Sequence, residues 1–125
     1  TDNENRRREA SEKLKDYLDE QRSSDAVIML GDYNDEISSS NTGENPFYNF
    51  VADAASYSFA DMAIANGSQL WWSYPQWPSH IDHILVTDEL FDRIDTTVVI
   101  KASPCYPDYA EVLSDHRPVG IRINP

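Results

Sequence analysis

Three short stretches place chemically versatile side chains where apolar runs begin or end. "GDYND", Gly31 to Asp35, follows the run "AVIML", Ala26 to Leu30. "HIDHILV" carries His80, Asp82 and His83 into a second run, and "SDHRPV" sets Asp115 and His116 ahead of a third. Asp32 and Asn34 are two residues apart, so in extended backbone they point the same way and can address one ligand. Gathered carboxylates attract a hard divalent cation, and oxygen donors favour Mg²⁺ or Mn²⁺ over zinc. A carboxylate to activate water, an amide to hold an anionic oxygen and a histidine paired with a carboxylate are parts that phosphoryl chemistry uses. Each part alone has a plainer reading. A strand-end Gly-Asp is commonly an Asx turn, Asp82 within an apolar strand needs a partner that a histidine can supply, and Ser-Asp-His can be a capped turn. Their occurrence together and in this order is what points to chemistry.

The elements that must position these residues can be read from periodicity. Ala10, Leu14, Tyr17 and Leu18 recur at three- and four-residue spacing from Asn5 to Gln21, giving an amphipathic helix suited to covering a sheet. "AVIML" is a continuous apolar run and reads as a strand buried on both faces. "EISSSNTGENP" is a loop where substrate contacts could vary, ended by Asn45 as N-cap and Pro46 at the first helical position of "FYNFVADAA". "SYSFADMAIANGS" reads as a short helix or turn closing at Asn66-Gly67. "QLWWSY" reads as an aromatic strand and "PQWP" as a rigid turn. "SHIDHILVT" is expected to be a central strand, with Ile81, His83 and Leu85 on one face and His80, Asp82, Ile84 and Val86 on the other. Thr87 caps a short helical turn to Phe91, Asp95 to Ala102 form a β-branched strand, "SPCYPDYAEVL" is a loop, and Val119, Ile121 and Ile123 alternate in a terminal strand.

The 125 residues, 40% hydrophobic and 26% charged, have the size and make-up of one globular domain. The net charge of −12, from 22 acidic and 10 basic residues, disfavours a broad nucleic-acid surface and leaves phosphate to be received locally through a cation. Cys105 is the single cysteine, so no intramolecular disulfide forms, and no apolar run reaches the ~18 residues of a membrane span. Such a chain suits a soluble protein, cytoplasmic or secreted. It opens without a Met or signal peptide and reads as the middle of something longer.

The ordered set "GDYND", "HIDHILV" and "SDHRPV" resembles the C-terminal half of the endonuclease/exonuclease/phosphatase superfamily, the DNase I-like phosphoesterases, over Ala26 to Ile123. The resemblance implies an α+β fold with one mostly antiparallel sheet covered by helices on one face, half of a four-layer αββα sandwich. It implies that Asp32 positions or deprotonates the attacking water and shares the metal, that Asn34 binds the phosphate oxygen, and that Asp82 orients the active-site histidine. Asp115 would lie in the shell of an Mg²⁺ or Mn²⁺ ion, and His116 would contact the scissile phosphate of a phosphate ester substrate. Residues 1–125 would then be the C-terminal half of the domain. The N-terminal half, with its Asn-bearing strand and principal Glu metal ligand, is absent, so the fragment alone is expected to be inactive or nearly so. An apolar face left without its partner sheet predicts self-association as a two-fold homodimer.

Other features have less pointed readings. His83 reads as a core or interface histidine. Trp71, Trp72, Tyr74 and Trp77 read chiefly as packing, with Trp77 a weak candidate for stacking on a base or sugar. Arg6 to Arg8 read as a solvated helix face among Glu4, Glu9 and Glu12. Two competing functional classes stand beside the enzyme: a non-catalytic binding or assembly domain that keeps the fold, and an α/β ligand-binding domain without metal.

Overall fold

The computed structural model describes residues 1–38 and 45–125. Helix α1, Asp2–Gln21, starts in a capping box in which Thr1 accepts from the Glu4 N–H and Glu4 reaches back to the Thr1 amine. Leu18 is buried in the core while Leu14 and Tyr17 remain partly exposed. Polar contacts complete the docking of the helix. Ser11 Oγ donates to Asn49 Oδ1 at 2.7 Å, the Tyr57 hydroxyl donates to Asp19 at 2.6 Å, and Lys15 bridges Asp19 and Asp53 at 2.8 Å each.

Strands β1 (Ile28–Asp32), β2 (Tyr57–Phe59) and β3 (Asp82–Thr87) form an antiparallel sheet in the order β1-β3-β2. The expected central strand is thus the middle one. Its Ile84, Leu85 and Val86 are all buried, each contributing about 1.5–3 kcal/mol by leaving water. Leu85 faces α1 and α2 (Tyr48–Ala52) in a core with Leu18, Phe47, Phe50, Tyr57 and Phe59. Ile84 and Val86 face the other way, onto Leu90, Phe91, Ile94, Val119 and Ile121. That second core is closed by the antiparallel pair β4 (Ile94–Val99) and β5 (Val119–Ile123). The fold is α+β and, as expected, antiparallel, but among the described residues the strands divide into sheets of three and two, because β3 has an apolar side chain to bury on each face. Helices α3 (Met62–Ala65) and α4 (Tyr109–Val112) are single turns. Among the described residues no helix is long and apolar enough to cross a membrane.

Several local expectations are corrected. β1 is an edge strand with one covered face: Met29 packs on the core, whereas Ile28 and Leu30 are 39% and 72% exposed. Gln69–Trp71 is a 3-10 turn rather than an aromatic strand, because the Trp72 indole donates to the Ile64 carbonyl and Arg117 ties down the carbonyls of Leu70 and Trp72. Asn45 is buried and accepts from the Phe47 N–H, but α2 begins only at Tyr48. Thr87 precedes the 3-10 segment Asp88–Arg93 without capping it, since its hydroxyl links Val27 N–H to the Asp25 carbonyl instead. The loop reading of Glu36 to Pro46 falls largely on residues 39–44, outside those described.

Candidate active site

The β1–β3 ladder closes on a cross-strand pair of carboxylates, Asp32 opposite Asp82. Directly opposed like charges are destabilising, so this end of the sheet calls for a compensating cation. His116 supplies part of that charge: its Nδ1 lies 2.7 Å from Asp82 Oδ2, with both side chains about three-quarters buried. Burial pulls the His116 pKa down, but the Asp82 hydrogen bond and the negative charges of Asp82, Asp32 and Asp115 outweigh it and raise the value above 6.5. Candidate ligand atoms of Asp32, Asp82 and His116 all lie within 4.8 Å of one another.

Asp32 is exposed at the strand end, where its Oδ1 accepts the Asn34 N–H at 2.8 Å. Gly31 precedes it at φ 150°, a conformation that side-chain-bearing residues rarely adopt, and Asn34 follows in the left-handed region at φ 54°. Alternation therefore does not carry Asn34 onto the face of Asp32, since β1 ends at Asp32; an Asx turn joins them instead. Asn34 opens onto a cleft shared with Asn3, Arg6, Arg7 and Ala10 of α1. Asp115 is exposed and stands outside the group of three, acting on His116 through its charge. Trp77 is 78% exposed in the turn between Tyr74 and Ser79, whereas Tyr74 lies against the His116 ring with centroids 4.9 Å apart.

A second cluster lies wholly inside. Asp61 Oδ2 is 2.8 Å from His80 Nε2 and 2.6 Å from His83 Nδ1, and Asp61 Oδ1 accepts the Ile84 N–H at 2.8 Å. His80 Nδ1 accepts from the Ser73 N–H, so its Nε2 carries the proton given to Asp61. His83 Nε2 donates to the Asp35 carbonyl at 2.9 Å. Burial pushes the Asp61 carboxyl up, but hydrogen bonds from His80 and His83, the His83 charge and the Ile84 N–H together bring it down to about 2. Donor atoms sharing one tetrahedral zinc at 2.0–2.2 Å stand about 3 Å or more apart, so contacts of 2.6 and 2.8 Å fit hydrogen bonds rather than a metal.

His83 is therefore a satisfied core histidine, as its position among apolar residues suggests. His80 is not on the face of Asp82: the strand begins at Asp82, so the alternation stops short of it. Arg7 is half-buried rather than fully solvated, and its guanidinium holds Asp35 Oδ2 through Nε at 3.1 Å and Nη2 at 2.9 Å. Neither periodicity nor motif points to Asp61 or Ser73. A lone carboxylate in "FADMA" and a surplus of histidines in "SHIDH" are the signals that connect them.

A family model described as "Endonuclease/Exonuclease/phosphatase family" matches residues 2–116. No curated protein matches significantly.

Proposed function

The chain belongs to the endonuclease/exonuclease/phosphatase family, and from that premise we propose that its Asp32, Asp82 and His116 form the cleavage end of a divalent-metal-dependent phosphoric ester hydrolase. The observation that carries this reading is their convergence to within 4.8 Å from three separate chain segments. Opposed carboxylates with one imidazole suit a hard cation such as Mg²⁺ or Mn²⁺, with Asp32 and the nearby Asp115 as the carboxylates of choice. When bound, that ion polarises the phosphate and lowers the pKa of water.

The side chains divide the remaining work. Asp32, exposed and held by the Asn34 N–H, orients an attacking water and takes its proton. Asn34 offers its amide to a phosphate oxygen. Asp82 fixes the His116 ring through Nδ1, which leaves Nε2 without a hydrogen-bond partner among the described residues and free to donate to the scissile phosphate. Arg6, exposed beside the Asn34 cleft, favours an anionic substrate, while the net charge of −12 favours a compact phosphomonoester or phosphodiester over long nucleic acid. We take residues 1–125 as the C-terminal half of the catalytic domain, with a further carboxylate ligand supplied from outside them. Exposed Ile28 and Leu30 support self-association when this half is alone.

The test is a nuclease, phosphatase and phospholipase screen of the full-length protein with Mg²⁺ and Mn²⁺. Asp32→Asn and His116→Ala are expected to lose hydrolysis while remaining folded. Equal activity in wild type and both variants would sink the assignment, and metal binding without any hydrolysis would favour a binding or assembly domain.

A further inference from the structure

The Asp82–His116 pair is aimed by the backbone on either side of it, and the supports of that backbone converge on one residue outside the cluster. Ser73 is fully buried. Its hydroxyl accepts the N–H groups of Ile81 and Asp82, each at 3.2 Å, and its carbonyl accepts the Arg117 N–H at 2.7 Å. The two residues of the catalytic pair are thereby anchored to the same serine, one at Asp82 itself and the other at the peptide following His116. The next residue, Tyr74, lays its ring against His116. Ser73 is itself held from behind: its N–H donates to His80 Nδ1 at 3.3 Å, and His80 is fixed by Asp61. Asp61 also reaches the opposite wall of the site, because His83 carries its hold to the Asp35 carbonyl beside Asn34.

We propose that Ser73 is a positioning residue for the phosphoesterase site, transmitting the rigidity of the buried Asp61–His80 pair to Asp82 and His116. The proposal rests on the reading of those residues as the metal-dependent site. Ser73 touches neither metal nor substrate; it sets where two groups that do are placed. The arrangement gives a polar reason for burying Ser73 and His80 under a site on the surface: they accept the backbone N–H groups of Ile81, Asp82 and Ser73.

MnCl₂ titrated into the full-length protein, followed by paramagnetic broadening of the His116 ring resonances, reads the site, and circular dichroism reads the fold. Folded Ser73→Ala is expected to bind Mn²⁺ on the order of 10-fold more weakly, and an affinity within about twofold of wild type would overturn the proposal. Should Ser73→Ala fail to fold, wild type decides by linkage. The amides of Ser73 and Ile84, which donate to His80 and Asp61 away from the metal cluster, are expected to exchange more slowly once Mn²⁺ is bound. Unchanged exchange overturns the proposal. A full-length wild type that binds no Mn²⁺ refutes the site itself, and the positioning role falls with it.

Discussion

Asp61→Asn isolates the energetic worth of the buried carboxylate. In the wild type, Asp61 accepts from His80, His83 and the Ile84 N–H with no exposure to water. The amide keeps the shape and one acceptor, which can still serve Ile84, but its N–H₂ then meets the proton on His80 Nε2. Removing one partner of a buried ionic pair costs about 3–5 kcal/mol, a large part of the ~5–15 kcal/mol available to a domain. The cost must also depend on pH. Asp61 is held at about 2 against an ordinary value of 3.8. A carboxyl whose pKa is lowered by folding stabilises the protein above its unfolded value, and that stabilisation disappears as pH falls through the folded value. The difference corresponds to on the order of 2 kcal/mol, present above about pH 5 and largely gone near pH 2. Urea unfolding of both proteins at about pH 7, 5, 4 and 3 measures it, read as the difference between them so that the other carboxylates cancel. The gap is expected to narrow with acid. A gap that stays constant across the series would show that Asp61 is not kept ionised by these partners.

Other consequences can be checked in similar ways. MgCl₂ or MnCl₂ is expected to raise the melting temperature of the full-length protein by offsetting the Asp32–Asp82 repulsion, a stabilisation of about 2.7 kcal/mol at a hundredfold excess over Kd; a melting curve unmoved by either ion argues for a domain without metal. Inorganic phosphate should bind through protonated His116, so affinity is greatest below 6.5 and falls as pH rises through the raised folded pKa; binding that strengthens with pH contradicts this role. Leu30 is 72% exposed on the edge strand, so Leu30→Lys is expected to shift sedimentation from dimer toward monomer at micromolar concentration, and a wild type already monomeric there rules out the association.

The parts legible in the sequence were those governed by short-range pattern. The apolar residues on both faces, Ile84, Leu85 and Val86, identify the central strand; that Asp82 orients the active-site histidine is implied by the family resemblance alone, and in the structure the ring against it is that of His116, 34 residues away. What escaped depended on distance in the chain or on position in the sheet. Asp61 meets His80 and His83 from 19 and 22 residues away, and no periodicity links them. "AVIML" carries the composition of a doubly covered strand, yet its neighbours leave it at an edge. The aromatic residues of Gln69 to Tyr74 have strong β-propensity, but hydrogen bonds from Trp72 and Arg117 override it. Asn34 is joined to Asp32 by a turn, where strand geometry suggests simple alternation.

The register of β1 against β3 makes the spacing of the site a property of the core. Met29 pairs with Leu85, and three steps along the same ladder Asp32 pairs with Asp82. A slip by one residue would turn Met29 away from the apolar interior and separate the two carboxylates at once. The hydrophobic residues therefore act as a ruler for the carboxylates: sequence changes that loosen Met29 or Leu85 also disturb the distance between Asp32 and Asp82 at the far end of the strand.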